Sequence, residues 1–302
     1  MLGPDFLPTP CGLADSAVEV LGDAVVGAWD DFLAVATSAD LTRPSRLPGW
    51  TGRDALLHLG SWDDRPVLSR IVAAAREGGG PPPGDVDTDN ARLVAAHQGT
   101  TPAEVIAALE RSRDGIAEWF ESAEPAELGR ARVRSSVGEL PLLSLIHAGA
   151  YELAVHAMDL GPCGAEAPSP FLLDRGLAAL LDVTGALASR SAIDITVTAL
   201  TPVGGWSFIS SSDGWSTAPV PAGALEGVGV RGSAADLLDV SAGRASIPTL
   251  LVQRRLVVQQ LTSFMRLAPI VHDAPGLPGG AALKAGISGV SGITRLVGRL
   301  RR

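Results

Sequence analysis

The chain has 302 residues, of which 46% are hydrophobic, and a formal net charge of −9 at pH 7. This length suggests two domains with sizeable cores, and the acidic balance argues against a general nucleic-acid-binding protein. No uninterrupted apolar stretch reaches the roughly 18 residues of a membrane span, and residues 1–10 lack the features of a signal peptide. We therefore expect a soluble cytoplasmic protein. Cys11 and Cys163 indicate neither a thiolate zinc site nor a disulfide framework.

The first third of the chain predicts two long helices joined by a proline-punctuated loop. Apolar residues at helical spacing indicate a first helix over residues 15–39. Thr51 and Asp54 are typical of a capping box, which predicts a second helix from there to about residue 76, bent at Pro66. His58 lies in an apolar stretch of that helix, where a lone histidine is more often a core residue than a ligand. The glycine- and proline-rich residues 77–88 predict a mobile loop.

The next segment leads to an apolar helix that carries two polar side chains. A short helix over residues 89–98 precedes a helix that starts at Thr101 and ends near residue 121, followed by a polar connection over residues 122–139. Residues 140–160 are apolar without strand-like alternation, which favours a buried helix. Glu152 and His156, four residues apart, share one face of it. They are either a hydrogen-bonded pair inside a bundle or two ligands of a metal ion. His147 points to the opposite side, which favours a core position.

The second half of the chain changes pattern. After a linker near residue 165, we predict a helix over residues 171–190, strands over residues 193–200, 205–211 and 227–230, and a short capped helix over residues 233–241. These elements indicate a smaller α+β domain. Residues 281–302 combine apolar residues at helical spacing with arginines. This pattern is typical of a helix that docks on the protein itself, on a partner or on a membrane surface.

Two motifs together resemble a known family. The residues LPGWTGRDALLHL (47–59), followed later by ELAVHAMDL (152–160), resemble the mycothiol-dependent maleylpyruvate isomerase family of the DinB-like metalloenzyme superfamily. The resemblance implies a DinB-like four-helix bundle over residues 1–165 and a small sterol-carrier-like α+β domain over residues 166–265. The tail over residues 266–302 departs from the family pattern. A single lysine and an arginine-, alanine- and glycine-rich composition suggest a GC-rich genome such as an actinobacterial one.

The resemblance also implies a metal site. By this resemblance, His58, Glu152 and His156 would hold zinc or another divalent metal, and a set of two histidines and one glutamate leaves a fourth position open for a water or a substrate. Asp159 lies on the same helical face as His156, either orienting that histidine or simply meeting solvent. Arg231 and Arg244 are candidates to bind a substrate carboxylate. Alternatively, each is a surface arginine or caps the end of a helix.

The function implied by the resemblance is thiol chemistry. Mycothiol would serve as the low-molecular-weight thiol cosubstrate, deprotonated at the metal and added to a small electrophilic substrate. Loss of the thiol after rotation makes an isomerase, whereas retention makes an S-transferase. Two alternatives stay open: a metal-dependent hydrolase, and a non-catalytic regulator that binds a ligand or a partner.

Overall fold

The computed structural model describes residues 3–63, 66–81 and 84–273. Its first helix, α1 (Val18–Ser38), confirms the predicted helix, and the apolar stripe of α1 lies in the core. The helices that follow are α2 (Gly52–Leu56), α3 (Val67–Arg76), α4 (Val86–Ala96), α5 (Pro102–Glu121) and α6 (Glu124–Leu128). The hairpin of β1 (Arg132–Ser135) and β2 (Gly138–Pro141) then leads into α7 (Leu142–Asp159).

Helix α7 lies at the centre of the helical part. It packs against α1 and against the next long helix, α8 (Pro170–Arg190), which also contact each other. Most of its residues are buried, including Leu143, Ile146 and Leu153, which confirms the prediction of a buried helix. His147 is also buried, as predicted for a core histidine.

The predicted continuous helix from Thr51 to about residue 76 is wrong. Helix α2 ends after five residues, a 3-10 turn follows over Leu57–Leu59, and the chain is extended at Gly60 before α3 begins at Val67. Gly60 lies so close to α5 that a Cβ atom there would be 2.8 Å from that of Ala108. The close contact and the proline before α3 explain the interruption.

Two other predictions need correction. The segment over residues 122–139 is not a simple polar connection, because it contains α6 and the β1–β2 hairpin. The predicted loop over residues 77–88 overlaps the start of α4, whose first turn is capped by the Asp85 side chain. A polar cap residue placed directly after a glycine-rich stretch explains why the helix starts earlier than expected.

The second half forms a five-stranded sheet covered by helices. The strands are β3 (Ile195–Thr201), β4 (Gly204–Ser211), β5 (Gly214–Pro221), β6 (Gly229–Arg231) and β7 (Val257–Gln259), in the order β5-β4-β3-β6-β7. Only the β3–β6 pair is parallel. The remaining helices are α9 (Ala234–Ser241), α10 (Ile247–Val252), α11 (Leu261–Phe264) and α12 (Ala268–Asp273). The mixed α+β class is confirmed, but the sequence did not predict β5 or β7.

Helix α8 connects the two halves. It packs on α7 and on the sheet, and the Cβ atom of a residue larger than glycine at Gly176 would be 2.6 Å from that of Ala154. One hydrophobic core therefore runs through the described residues, and the division after residue 165 stays a prediction. None of the described helices is long and apolar enough to cross a membrane. Of the predicted tail, residues 274–302 lie outside the described residues.

Candidate metal centre

The first residue of the centre, His58, lies in the 3-10 turn after α2. The capping box predicted at Thr51 and Asp54 is present, with each side chain bonded to the other residue's backbone amide. Two side chains fix the turn itself: Trp62 Nε1 donates to the Leu57 carbonyl at 2.9 Å, and Ser112 Oγ donates to the Leu59 carbonyl at 2.9 Å. The orientation of His58 is therefore set by the bonds on both sides of it.

The second and third residues come from α7. Glu152 and His156 are one helical turn apart, and His156 Nε2 lies 3.5 Å from Glu152 Oε2. His58 Nε2 approaches the same carboxylate oxygen at 3.9 Å, and the two imidazole rings meet edge to face with centroids 4.8 Å apart. One potential ligand atom from each of the three residues lies within 4.8 Å of the others. The structure thus brings together all three residues that the sequence singled out as ligands.

The charges of the cluster stabilise each other. Burial alone would raise the pKa of Glu152, but the contacts with His156 and His58 outweigh it and hold that pKa well below its usual range. Burial likewise opposes the charged form of His156, whereas its contacts with Asp159 and Glu152 raise its pKa to about 9. Both shifts favour a charged carboxylate at Glu152 beside an imidazolium at His156.

Behind His156 lies a second group of charged side chains. Asp159 is fully buried and its Oδ2 atom lies 3.1 Å from His156 Nδ1. Arg244 donates two bonds to this carboxylate, from Nε and Nη2, each at 3.0 Å. Arg46 is 3.9 Å from Asp159 and donates to Asp239 at 2.9 Å. This geometry agrees with the prediction that Asp159 orients His156. The Asp159 carboxylate faces Nδ1 of the imidazole, so that Nε2 points toward Glu152.

The two arginines predicted for a substrate carboxylate have different positions. Arg244 follows α9 in the chain, and its guanidinium donates from Nε and Nη2 to the two carboxylate oxygens of Asp159. Arg231 lies on β6, where its guanidinium donates to the carbonyl of Gly223. The structure therefore links Arg244 to His156 through Asp159 and does not bring Arg231 to the cluster.

A cavity of about 590 Å³ opens beside the cluster, and His58 and Glu152 form part of its wall. Apolar walls come from α1, α3, α5 and α7, including Trp29 and Trp119. Its polar lining includes Ser61, Ser69, Ser112, Arg76, Arg111, Glu118 and Glu124. Sequence reasoning missed this lining, because its members lie on separate helices with no motif of their own.

Among the described residues, one of the two arginines that line the cavity is paired with a carboxylate and the other is not. Arg76 is paired with Glu124. Arg111 donates from Nε to the Ser61 carbonyl at 3.2 Å, and no carboxylate of the described residues lies within ion-pair distance of it. Arg111 is exposed toward the cavity, and a guanidinium offers planar, paired donors that match a carboxylate.

The donor set fits a divalent metal. Two imidazole nitrogens and one carboxylate are the ligands that zinc takes in catalytic sites, where a fourth position stays open. The carboxylate that faces the other nitrogen of His156 is the arrangement that commonly orients a metal-binding histidine. The open side corresponds to the cavity, because Glu152 and His58 are exposed to it.

Comparison with known proteins confirms the predicted family resemblance. Residues 23–161 match the family described as the mycothiol maleylpyruvate isomerase N-terminal domain, and this range contains His58, Glu152 and His156. No curated protein matches the chain in sequence.

Two solved structures resemble the chain in fold. One is described as the crystal structure of the mycothiol-dependent maleylpyruvate isomerase, with a TM-score of 0.51 and 18% identity over 78% of this chain and 92% of that one. The other is a mutant of that isomerase with one histidine replaced by alanine, with a TM-score of 0.50 and the same identity and coverage. At this identity the similarity shows a shared fold.

Proposed function

We propose that the chain, whose residues 23–161 match the mycothiol maleylpyruvate isomerase N-terminal domain, is a metal-dependent enzyme that uses mycothiol as its thiol. The thiol adds to a small electrophile, in a cis–trans isomerisation of the maleylpyruvate isomerase type or in an S-transfer. The observation that carries the proposal is the cluster of His58, Glu152 and His156 at the wall of a cavity of about 590 Å³. We also propose that residues 1–165 form a DinB-like four-helix bundle and that residues 166–265 form a small sterol-carrier-like α+β domain.

The three cluster residues would hold the metal, with zinc as the first choice. Zinc bound there would lower the pKa of a thiol at the open position and so favour the thiolate at neutral pH. Asp159 Oδ2 faces Nδ1 of His156 at 3.1 Å, which leaves Nε2 as the ligand atom. Arg244 fixes Asp159 with two bonds and therefore acts as a positioning residue.

The cavity would bind the electrophile next to the cluster. Arg111 is the residue we assign to an anionic group of the substrate, because its terminal nitrogens are unpaired with carboxylates of the described residues. It takes the role that the sequence suggested for Arg231 or Arg244.

The proposal is tested with the full chain loaded with zinc and supplied with mycothiol and maleylpyruvate. We expect a change in substrate geometry, or a mycothiol adduct detected by mass spectrometry, that depends on both the metal and the thiol. Glu152→Gln should reduce the rate at least 100-fold, whereas Arg231→Gln, a change away from the cluster, should not.

Two results would contradict the proposal. A rate that is unchanged without mycothiol indicates a hydrolase or another thiol-independent activity. The absence of any turnover with a panel of maleyl and fumaryl electrophiles, despite bound zinc, favours a non-catalytic binding role.

A separate variant, Arg111→Gln, should raise KM for carboxylate substrates more than it lowers kcat.

A further inference from the structure

Charged side chains from three parts of the chain meet at the carboxyl end of α7, behind His156. Asp159 is fully buried there, and Arg244 donates to both of its carboxylate oxygens. Arg46 approaches the same carboxylate, with Nε 3.9 Å from Oδ1, and donates from Nη2 to Asp239 at 2.9 Å. Two carboxylates and two guanidiniums thus form a charge network without excess charge, as the burial of a carboxylate requires.

Arg46 lies in the loop between α1 and α2, which is the segment that leads to His58. Bonds within the loop fix its shape, because the amide and the hydroxyl of Ser45 both donate to the Trp50 carbonyl, at 2.9 and 3.0 Å. The Arg46 amide donates to the Asp159 carbonyl at 2.9 Å and so satisfies a carbonyl in the last turn of α7. Backbone and side chain of Arg46 therefore both hold this loop to the end of α7.

The other two members of the charge network come from the end of α9. Gly243 has a φ of +70°, a left-handed conformation that glycine adopts readily, and its amide donates to the Val240 carbonyl at 3.1 Å. The Arg244 amide donates to the Asp239 carbonyl at 2.7 Å, which completes a Schellman motif. Asp239 thus holds the network in two ways, with its carbonyl through Arg244 and with its carboxylate through Arg46.

The charge network reaches both segments that carry histidines of the cluster. Asp159 faces Nδ1 of His156, so a shift of this carboxylate changes the orientation of the imidazole. Without the Arg46 guanidinium, two carboxylates would be left with one guanidinium between them, and the buried carboxylate would be less well compensated. The loop before His58 would also lose its side-chain contact with α9.

We propose that Arg46 and Asp239 are positioning residues of the metal centre, which join the loop before His58 to the end of α9 and hold Asp159 against His156. This role rests on the proposed function, because it concerns the same metal centre. The second half of the chain, through α9, then sets the orientation of a histidine that lies in the helical half.

The role is tested first in the metal-free full chain, by NMR of the imidazole nitrogens, with His156→Ala to assign the His156 signals. Asp239→Asn keeps the shape and the carbonyl of the residue and removes only its charge. We expect this variant and Arg46→Gln each to shift the His156 signals, whereas the His97 signals stay as in the wild type. The matched control is Arg113→Gln, which breaks an ion pair with Asp30 between α5 and α1 and should leave the His156 signals unchanged.

Zinc affinity, measured by competition with a chromophoric chelator, is the second readout. Arg46→Gln and Asp239→Asn should each lower it about 10-fold. The double variant should bind zinc no more weakly than Arg46→Gln alone, because both changes remove the same contact. Arg46→Lys should restore part of the affinity, since it keeps the charge without the paired donors.

Unchanged His156 signals in both variants would overturn the role, and so would equal shifts in Arg113→Gln, because the loss of any ion pair would then disturb the centre. Thermal unfolding confirms that each variant folds, and Asp239→Asn carries the test if Arg46→Gln does not fold. A wild-type chain that binds no zinc would contradict the proposed function, whereas the His156 signals of the metal-free chain would still decide the role of Arg46 and Asp239.

Discussion

The two histidines of the candidate metal centre are held by different means. His58 is fixed by backbone bonds around its turn, through Trp62 and Ser112. His156 is fixed by a carboxylate, Asp159, that is itself held by an arginine from a distant part of the chain. The geometry of His156 therefore depends on Asp159 and Arg244, which lie outside the three-residue cluster.

The first prediction concerns this dependence. Arg244→Gln removes both bonds to Asp159, so His156 loses its fixed orientation and we expect zinc affinity to fall by about 10- to 100-fold. Affinity is measured by competition with a chromophoric chelator. Arg231→Gln is the control, and Arg244→Lys should restore part of the affinity by keeping the charge. Equal zinc affinity in Arg244→Gln and the wild type would contradict the positioning role.

The second prediction concerns His147, which is buried on α7. Burial, with a smaller effect of Arg175, lowers its pKa to about 3, so the folded protein leaves it neutral while the unfolded chain binds a proton below about pH 6.5. The unfolded state then holds more protons between pH 3 and 6.5, and stability must fall as the pH falls through this window. Between pH 6.5 and 5 this histidine should cost about 2 kcal/mol.

This cost is measured by urea unfolding at several pH values in the wild type and in His147→Gln, which cannot ionise. The wild type should lose about 2 kcal/mol more stability over that interval than the variant. Parallel pH profiles of the two proteins would show that His147 is protonated in the folded state as well.

Single residues also show what the sequence can and cannot predict. The four-residue spacing of Glu152 and His156 was enough to place both on one face of α7, because helical geometry fixes it. His58 was recognised only through the family resemblance, since its orientation depends on Trp62 and Ser112 from other positions. Arg111 could not be predicted, because an exposed arginine on a helix has no distinguishing local pattern.

At the scale of elements, two capping boxes have the same design but different consequences. Thr51 and Asp54 start α2, one turn before His58, whereas Thr101 and Glu104 start α5 at the surface. Both were predicted from the residues, because a cap depends only on neighbours in sequence. The break at Gly60 was not predicted, because its cause is the contact with Ala108 on another helix.

The third prediction compares these two caps. Thr51→Ala should destabilise the protein by about 1 kcal/mol and also weaken zinc binding, because the turn that carries His58 loses its anchor. Thr101→Ala removes an equivalent cap and should leave zinc affinity unchanged. Chelator competition together with thermal unfolding separates the two effects. Unchanged zinc affinity in both variants would mean that the Leu57–Leu59 turn is held without the first capping box.

At the scale of the whole molecule, one buried carboxylate accepts hydrogen bonds from both the helical half and the sheet-containing half. Asp182 on α8 accepts bonds from the Leu13 amide, Ser144 Oγ, Trp215 Nε1 and Thr217 Oγ1. These donors come from the segment before α1, from α7 and from β5. The sequence predicted the α8 helix but could not predict this role, since the partners are brought together only by the fold.

The fourth prediction follows from the burial of these donors. Asp182→Ala leaves several of them without an acceptor, so we expect a loss of about 3 kcal/mol or more in the free energy of unfolding. Asp174→Ala is the matched control on the same helix, because Asp174 is partly exposed and its donors, Trp206 and the neighbouring Arg175, are not fully buried with it. Denaturant unfolding measures both. Similar losses in the two variants would contradict the role of Asp182 as a link between the halves.

The central claim is that His58, Glu152 and His156 form a metal site, and it is tested most directly by metal stoichiometry. Elemental analysis of protein purified without added metal and then incubated with zinc should give about one zinc per chain. His156→Ala should lose it, whereas His147→Ala, which removes a histidine from the same helix outside the cluster, should keep it. Wild-type protein that binds no zinc, or equal zinc content in His156→Ala and the wild type, would contradict the claim.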